Sequence, residues 1–376
     1  MHNNSLIKLL RSFSPKEISD FKEFLNSPYF NKKKSVIELF VYIQKYYPDF
    51  TDDALSKKNM YENLFPGKVY NDSNFRVLIH NLHELAKKFI AYNDFGNNKI
   101  EFDYRQFLSL MSKKQFGYLD KLINKLTGDI ENAKIIAEEY NFYRFRLKYE
   151  NIFFLAESHV GQFENFLDKA DFEKVFYYLS SYYYLKSMRL YINVLNLQLI
   201  YNKTFNTDHF KKMVSLIDKN IFKDNPVTEI YYCIIELFNQ GEEEKYYFRI
   251  KEILKHLKDS LHFDDLCEIY INLTNYCNRK ITSGITMFKN EKFELYKEEN
   301  ELKLYVVNGF MHPVYYKNLV ILALSLDEYE WVKEFIVTYK IDLPDESKNN
   351  IYMYCMALYE FDMRQFEKSL EFLSKI

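Results

Sequence analysis

Apolar residues recur along this chain at intervals of three and four, the spacing that lines one face of an α-helix. Ser14-Pro15-Lys16-Glu17 predicts a helix start: Ser14 can cap, Pro15 sits where a missing N–H costs nothing, and Glu17 completes a capping box. Ile18, Phe21, Phe24 and Leu25 then form an apolar stripe, and Pro28 ends the helix by disfavouring helical geometry in Ser27. Val36, Ile37, Leu39, Phe40 and Ile43 predict a second helix that stops near Pro48. A third runs from about Ala54 to Phe65 and meets the turn pair Pro66-Gly67. If Asn71 caps the next helix, Tyr70 and Phe75 occupy the two positions of a hydrophobic staple. Phe75, Leu78, Ile79, Leu82, Leu85, Ala86, Phe89 and Ile90 continue it as a near-heptad seam.

From Lys99 to about Lys203 the pattern predicts long helices broken at Gly128, at Gly161 and around Ala170–Asp171. The stretch VFYYLSSYYYLKSMRLYINVLNLQLIY is aromatic or aliphatic nearly all round, which predicts a helix enclosed by neighbours. Asn225-Pro226, Gly241 and His312-Pro313 punctuate the remainder, and no segment alternates with period two as a half-buried strand does. The expectation is an all-α protein in three regions. Residues 1–98 form an N-terminal helical bundle with a helix-turn-helix-like end, 99–205 a long-helix middle, and 206–376 an array of helical hairpins.

Composition agrees and narrows the chemistry. Only 8 Gly and 7 Pro in 376 residues is scarce punctuation for a sheet protein. Net charge is −2, so no overall field draws the chain to nucleic acid or anionic membrane. Residues 1–99 carry 15 Lys/Arg against 11 Asp/Glu, leaving a mildly basic head on an acidic body. Cys233, Cys267, Cys277 and Cys355 have no paired spacing and sit in apolar helical surroundings, as buried free thiols of a reducing compartment do. There is no apolar signal core at the N-terminus and no apolar run long enough to cross a membrane, so a cytoplasmic location without membrane contact is expected.

Candidate sites are few. Arg76, His80, His83 and Lys87 advance by four, three and four, and so share one edge of the Asn71–Ala91 helix opposite its apolar seam. Arg and Lys there suit phosphates, and His and Asn81 suit base edges; Glu84 among them opposes that use, and an ordinary wet helix face accounts for the same pattern. His80, His83 and Glu84 lack the spacing of the zinc-protease motif, and no second ligand cluster accompanies them. Asn31-Lys32-Lys33-Lys34 offers further positive charge for phosphate, or a solvated loop. The tyrosines of 176–191 suit base stacking or peptide contact, although helical spacing fits core packing better. No Gly-rich phosphate loop, nucleophile elbow or paired carboxylates appear, so no enzyme chemistry, cofactor or metal is expected.

Two C-terminal segments repeat at a fixed offset of 37 residues. Tyr316, Leu319, Val320, Tyr329, Val332 and Ile336 correspond to Met353, Met356, Ala357, Phe366, Ser369 and Leu373. The pair resembles tetratricopeptide repeats. Ala357 and Ser369 stand where two helices approach closely, and Pro344 stands where such a repeat closes. Val320 and Val332 replace the small residues, and the usual glycine between helices is absent. A looser copy runs from Ile271-Asn272-Leu273 to Phe293 and Leu295. The resemblance implies a right-handed solenoid of hairpins that holds a protein partner on its concave face. The passage LFPGK, followed by a polar turn and an Arg-bearing helix, resembles the end of the winged-helix head of bacterial transcriptional activators, which implies the alternative of DNA binding through Asn71–Ala91. The overall layout is similar to a group of bacterial helical proteins of unassigned function. The final helix, MRQFEKSLEFLSKI, keeps Phe366, Leu370 and Leu373 as an apolar stripe, which leads to the expectation that further chain or another molecule covers it.

Overall fold

The computed structural model describes residues 4–50, 55–133, 137–158, 170–217, 225–239, 244–307 and 309–376; Ala54, Gly161 and Gly241, read above as helix boundaries, fall outside them. Eighteen α-helices occur among the described residues, with one two-residue antiparallel pairing of Val306–Val307 with Phe310–Met311. The chain is all-α. It divides into two compact units, 1–126 and 127–376, with the division falling inside α7 (Leu119–Asn132).

The first unit is built on α1 (Ser5–Arg11), α2 (Pro15–Asn26), α3 (Lys34–Gln44), α4 (Lys57–Leu64), α5 (Asp72–Asn97) and α6 (Lys99–Ser112). Ser14 Oγ accepts from the Glu17 amide at 3.2 Å and the Ser14 amide donates to Glu17 Oε2 at 2.8 Å, which completes the capping box. Asn71 Oδ1 accepts from the Asn74 amide at 3.0 Å, and the expected staple closes through a third ring, because Tyr61 packs edge-on against both Tyr70 and Phe75. Phe21 lies against Phe40 and Phe89 in one aromatic core that α5 crosses with Phe75, Leu82 and Ala86 buried. Three readings need correction. Ile90 is 40% exposed and lies outside the seam. Asn31 is buried and bridges the loop before α3, its Nδ2 donating to the Leu25 and Lys33 carbonyls and its Oδ1 accepting from the Lys33 amide, so it is a loop clasp. The helix is also unbroken at Gly128, which α7 carries in its interior. One glycine in a strongly amphipathic segment costs about 1 kcal/mol, too little to end it.

In the second unit α8 (Ala137–Ser158) and α9 (Phe172–Tyr201) run antiparallel, as the pairs Glu138–Lys186, Arg144–Tyr178 and Lys148–Asp171 require. The break expected at Ala170–Asp171 is present: Asp171 caps α9 through the Lys174 amide. The chain continues through α10 (Asp208–Ser215), α11 (Pro226–Asn239), α12 (Glu244–Leu257), α13 (Phe263–Thr282), α14 (Phe288–Glu301), α15 (Pro313–Leu324), α16 (Tyr329–Thr338), α17 (Asp345–Asp362) and α18 (Phe366–Leu373). One apolar core joins α9, α11, α12 and α13; a second joins α14 to α17. Where α17 meets α18, Ser369 Oγ donates to the Ala357 carbonyl at 2.8 Å, a contact that only small residues at both positions permit. Cys233, Cys277 and Cys355 are buried as expected, but Cys267 is only half-buried.

The reading of α9 as an enclosed helix is overturned. Val175, Leu185, Met188, Tyr191 and Ile192 are buried, whereas Phe176, Tyr183, Leu190, Leu197 and Ile200 face solvent. Apolar residues on every side of a helix are equally what two separate apolar faces produce.

Candidate functional site

On α5 the four candidate residues do share an edge, and each cation has a carboxylate one turn away. Arg76 Nε lies 2.6 Å from Asp72 Oδ2, and Lys87 Nζ lies 2.6 Å from Glu84 Oε1. The Lys87 hydrogen bond holds Glu84 below its ordinary pKa, and the Tyr70 hydroxyl does the same for Asp72. Partial burial, with Lys87 nearby, lowers His83; His80 is exposed. The edge thus carries two cations and two anions and presents little net field to a phosphate. Positive charge gathers on the next edge instead. Lys33, Lys68, Asn74 and Asn81 line a cleft of about 370 Å³ floored by Tyr61, Phe65 and Leu78. No sequence spacing foretold it, because the loops before α3 and α5 bring its lysines together.

Among the described residues no group of three or more His, Cys, Asp and Glu is placed to hold a metal ion, and no helix is long and apolar enough to cross a membrane. Burial pushes the Cys267 and Cys277 thiols up to about 11 and Cys355 up to about 12, which keeps all three protonated at neutral pH.

The strongest concentration of charge lies inside the second unit. Arg189 of α9 places Nη1 2.9 Å from Asp265 Oδ1, Nη2 against Glu268 and Nε 3.8 Å from Glu138 Oε2. Lys186 Nζ adds a 2.7 Å bond to Glu138, the Tyr231 hydroxyl donates to Asp265, and the Ala137 amide donates to Asp265 Oδ2. Burial raises both Asp265 and Glu268 against the pull of Arg189. Three carboxylates are thus shared among two cations, a hydroxyl and an amide, which commits them to joining α8, α9, α11 and α13. Asp265 also touches a cleft of about 460 Å³ walled by Tyr140, Tyr177, Tyr178 and His262, but its oxygens are already engaged.

A different kind of site lies on α14 and α16. Trp331, the single tryptophan of the chain, stacks on Phe335 at 5.0 Å and meets Phe293 edge-on at 4.9 Å; Phe335 packs in turn on Tyr339. The Trp331, Phe335 and Tyr339 rings line a groove of about 250 Å³ together with Lys297, Asn300, Glu301, Glu334 and Thr338. Lys297 lies over the Phe293 ring and is bonded to Glu294 at 2.6 Å, so Glu301 and Glu334 set the rim's charge. On the same helix, next to Asn300, Glu299 is buried; burial lifts its carboxyl to about 7, against hydroxyls from Tyr315 and Thr274 that hold it down. An aromatic floor, a negative rim and a polar wall suit an apolar side chain flanked by basic residues. Sequence periodicity marked Phe293 and missed Trp331, which it meets across 38 residues of chain.

Compared with known protein families, with curated proteins and with solved structures, the chain finds no match in any of the three.

Proposed function

We propose that the chain is a non-catalytic, cytoplasmic helical scaffold, and that its C-terminal hairpins form a right-handed tetratricopeptide-like array that holds a protein partner. The observation that carries this reading is the Trp331 groove: a half-buried indole, backed by the buried Phe335 ring, lines a groove with two acidic side chains. The partner it suits is an extended or helical segment with one apolar anchor between Lys or Arg residues. The 37-residue offset and the Ser369–Ala357 contact support the arrangement of hairpins. Selection from a displayed peptide library on the full chain tests it. Selected peptides are expected to carry an apolar residue between basic ones, to shift Trp331 emission, and to lose roughly tenfold affinity against Glu301→Lys with Glu334→Lys. Peptides that bind without touching Trp331 emission and are indifferent to the charge change contradict it.

A second reading, DNA binding by the first unit, is favoured by the lysine cleft beside α5. Duplex binding should then weaken steeply with salt, and Lys33→Glu with Lys68→Glu should remove most of that dependence. Binding that is salt-insensitive, or that survives the double change, excludes the cleft.

A further inference from the structure

Nine exposed positions of α9 fall in a regular order: Phe172, Phe176, Leu179, Tyr183, Lys186, Leu190, Asn193, Leu197 and Ile200. The steps are four, three, four, three, four, three, four and three. That is the a/d repeat of a coiled-coil seam over four heptads, and it lies on the opposite side of the helix from the residues that build the unit's own core. Seven of the nine are apolar and stand between 38% and 71% exposed. A soluble helix seldom leaves so regular a stripe to water.

We infer that this face binds a second copy of the same chain, as an antiparallel pair of α9 helices. Self-complementarity argues for the occupant. When two copies pair so that partner numbers sum to 376, every a position meets a d position: Phe176 meets Ile200, Leu179 meets Leu197, Tyr183 meets Asn193, and Lys186 meets Leu190. The single uncharged polar side chain, Asn193, thereby faces the Tyr183 hydroxyl, its natural hydrogen-bond partner. The one charge, Lys186, lays its stem on Leu190 while its ammonium stays on Glu138 within its own chain. A parallel pair would set Lys186 against Lys186, so charge selects the antiparallel arrangement. The area suffices as well. Six paired side chains of roughly 180 Å² each, about half exposed, bury on the order of 1,100 Å² over both copies, above the roughly 1,000 Å² that a specific interface needs.

Sedimentation equilibrium of the full chain tests the inference. Wild type is expected to dimerise at tens of micromolar. Leu179→Glu with Leu197→Glu puts two carboxylates opposite one another at each end and should raise the dimer Kd at least ~100-fold, with helicity unchanged because both positions lie outside the unit's own core. Leu179→Glu alone and Leu197→Lys alone should each weaken self-association. A mixture of the two should form a heterodimer, since the new carboxylate of one copy then meets the new ammonium of the other. As a control, Leu370→Glu with Leu373→Glu on the exposed apolar stripe of α18 should leave the dimer intact. A wild-type monomer, a dimer indifferent to the α9 changes, a dimer abolished by the α18 changes, or a mixture that fails to associate would each overturn it.

Discussion

The two long helices, α5 in the first unit and α9 in the second, solve the same problem differently. Each buries one apolar face in its own unit. The reverse of α5 is mostly polar, and four of its charges are closed into pairs one turn apart, Asp72 with Arg76 and Glu84 with Lys87. The reverse of α9 is apolar again, and its polar effort is spent on the buried side, where Arg189 and Lys186 gather Glu138, Asp265 and Glu268. A helix with a wet, self-neutralised reverse is complete as it stands. A helix with a second apolar seam is an interface waiting for its partner. The eye is drawn to histidines and arginines in a row, yet in this chain the surface most in need of an occupant is built of Phe, Leu, Tyr and Ile.

The comparison can be broken most sharply at the α5 seam. Leu82 is fully buried, so Leu82→Asp should cost at least ~4 kcal/mol and unfold the first unit, while His83→Ala, one residue along on the polar edge, should change stability by no more than about 0.5 kcal/mol. Urea titration of both variants checks this; comparable losses would mean the two faces of α5 are wrongly assigned. The next effect in size belongs to the buried side of α9. Arg189→Met removes the cation that Asp265, Glu268 and Glu138 share and should destabilise the second unit by roughly 3–5 kcal/mol in thermal unfolding. A loss below about 1 kcal/mol would show the carboxylates do not depend on it.

A smaller effect sharpens the account of the second unit through pH. Burial raises Glu299 from its ordinary 4.5 to about 7 in the folded chain. A raised carboxyl pKa favours the protonated folded form, so this contribution is fully present below about pH 4.5 and is lost as pH rises through about 7, up to about 3 kcal/mol in total. Glu299→Gln keeps an acceptor for Thr274 without the titration. The melting temperature of wild type should therefore fall between pH 5 and pH 8 by more than that of the variant. Parallel pH profiles would contradict the assignment.

Much of this was legible in the sequence because it is local. The capping box at Ser14, the cap and staple around Asn71, the buried run from Phe75 to Phe89 and the start of α9 at Asp171 all follow from residues within a turn or two of one another. What was hidden depends on distance. Arg189 and Asp265 are 76 positions apart, and Trp331 meets Phe293 only through the packing of α16 on α14. Gly128 misled because a single glycine is a weak breaker inside a strong amphipathic pattern. The double seam of α9 was written in the chain but unreadable there: two interleaved three-four patterns add up to a helix that is apolar everywhere, and only the positions of its neighbours separate them.

The central claim is that the reverse face of α9 is covered in solution while that of α5 is wet. A polarity-sensitive fluorophore attached at Leu190→Cys and, separately, at His83→Cys, in a background with the half-buried Cys267 changed to serine, reads it directly. The account predicts blue-shifted emission at 190 that moves towards the aqueous value on dilution, and aqueous emission at 83 at every concentration. Aqueous emission at 190 at tens of micromolar, where the dimer is expected, would contradict it.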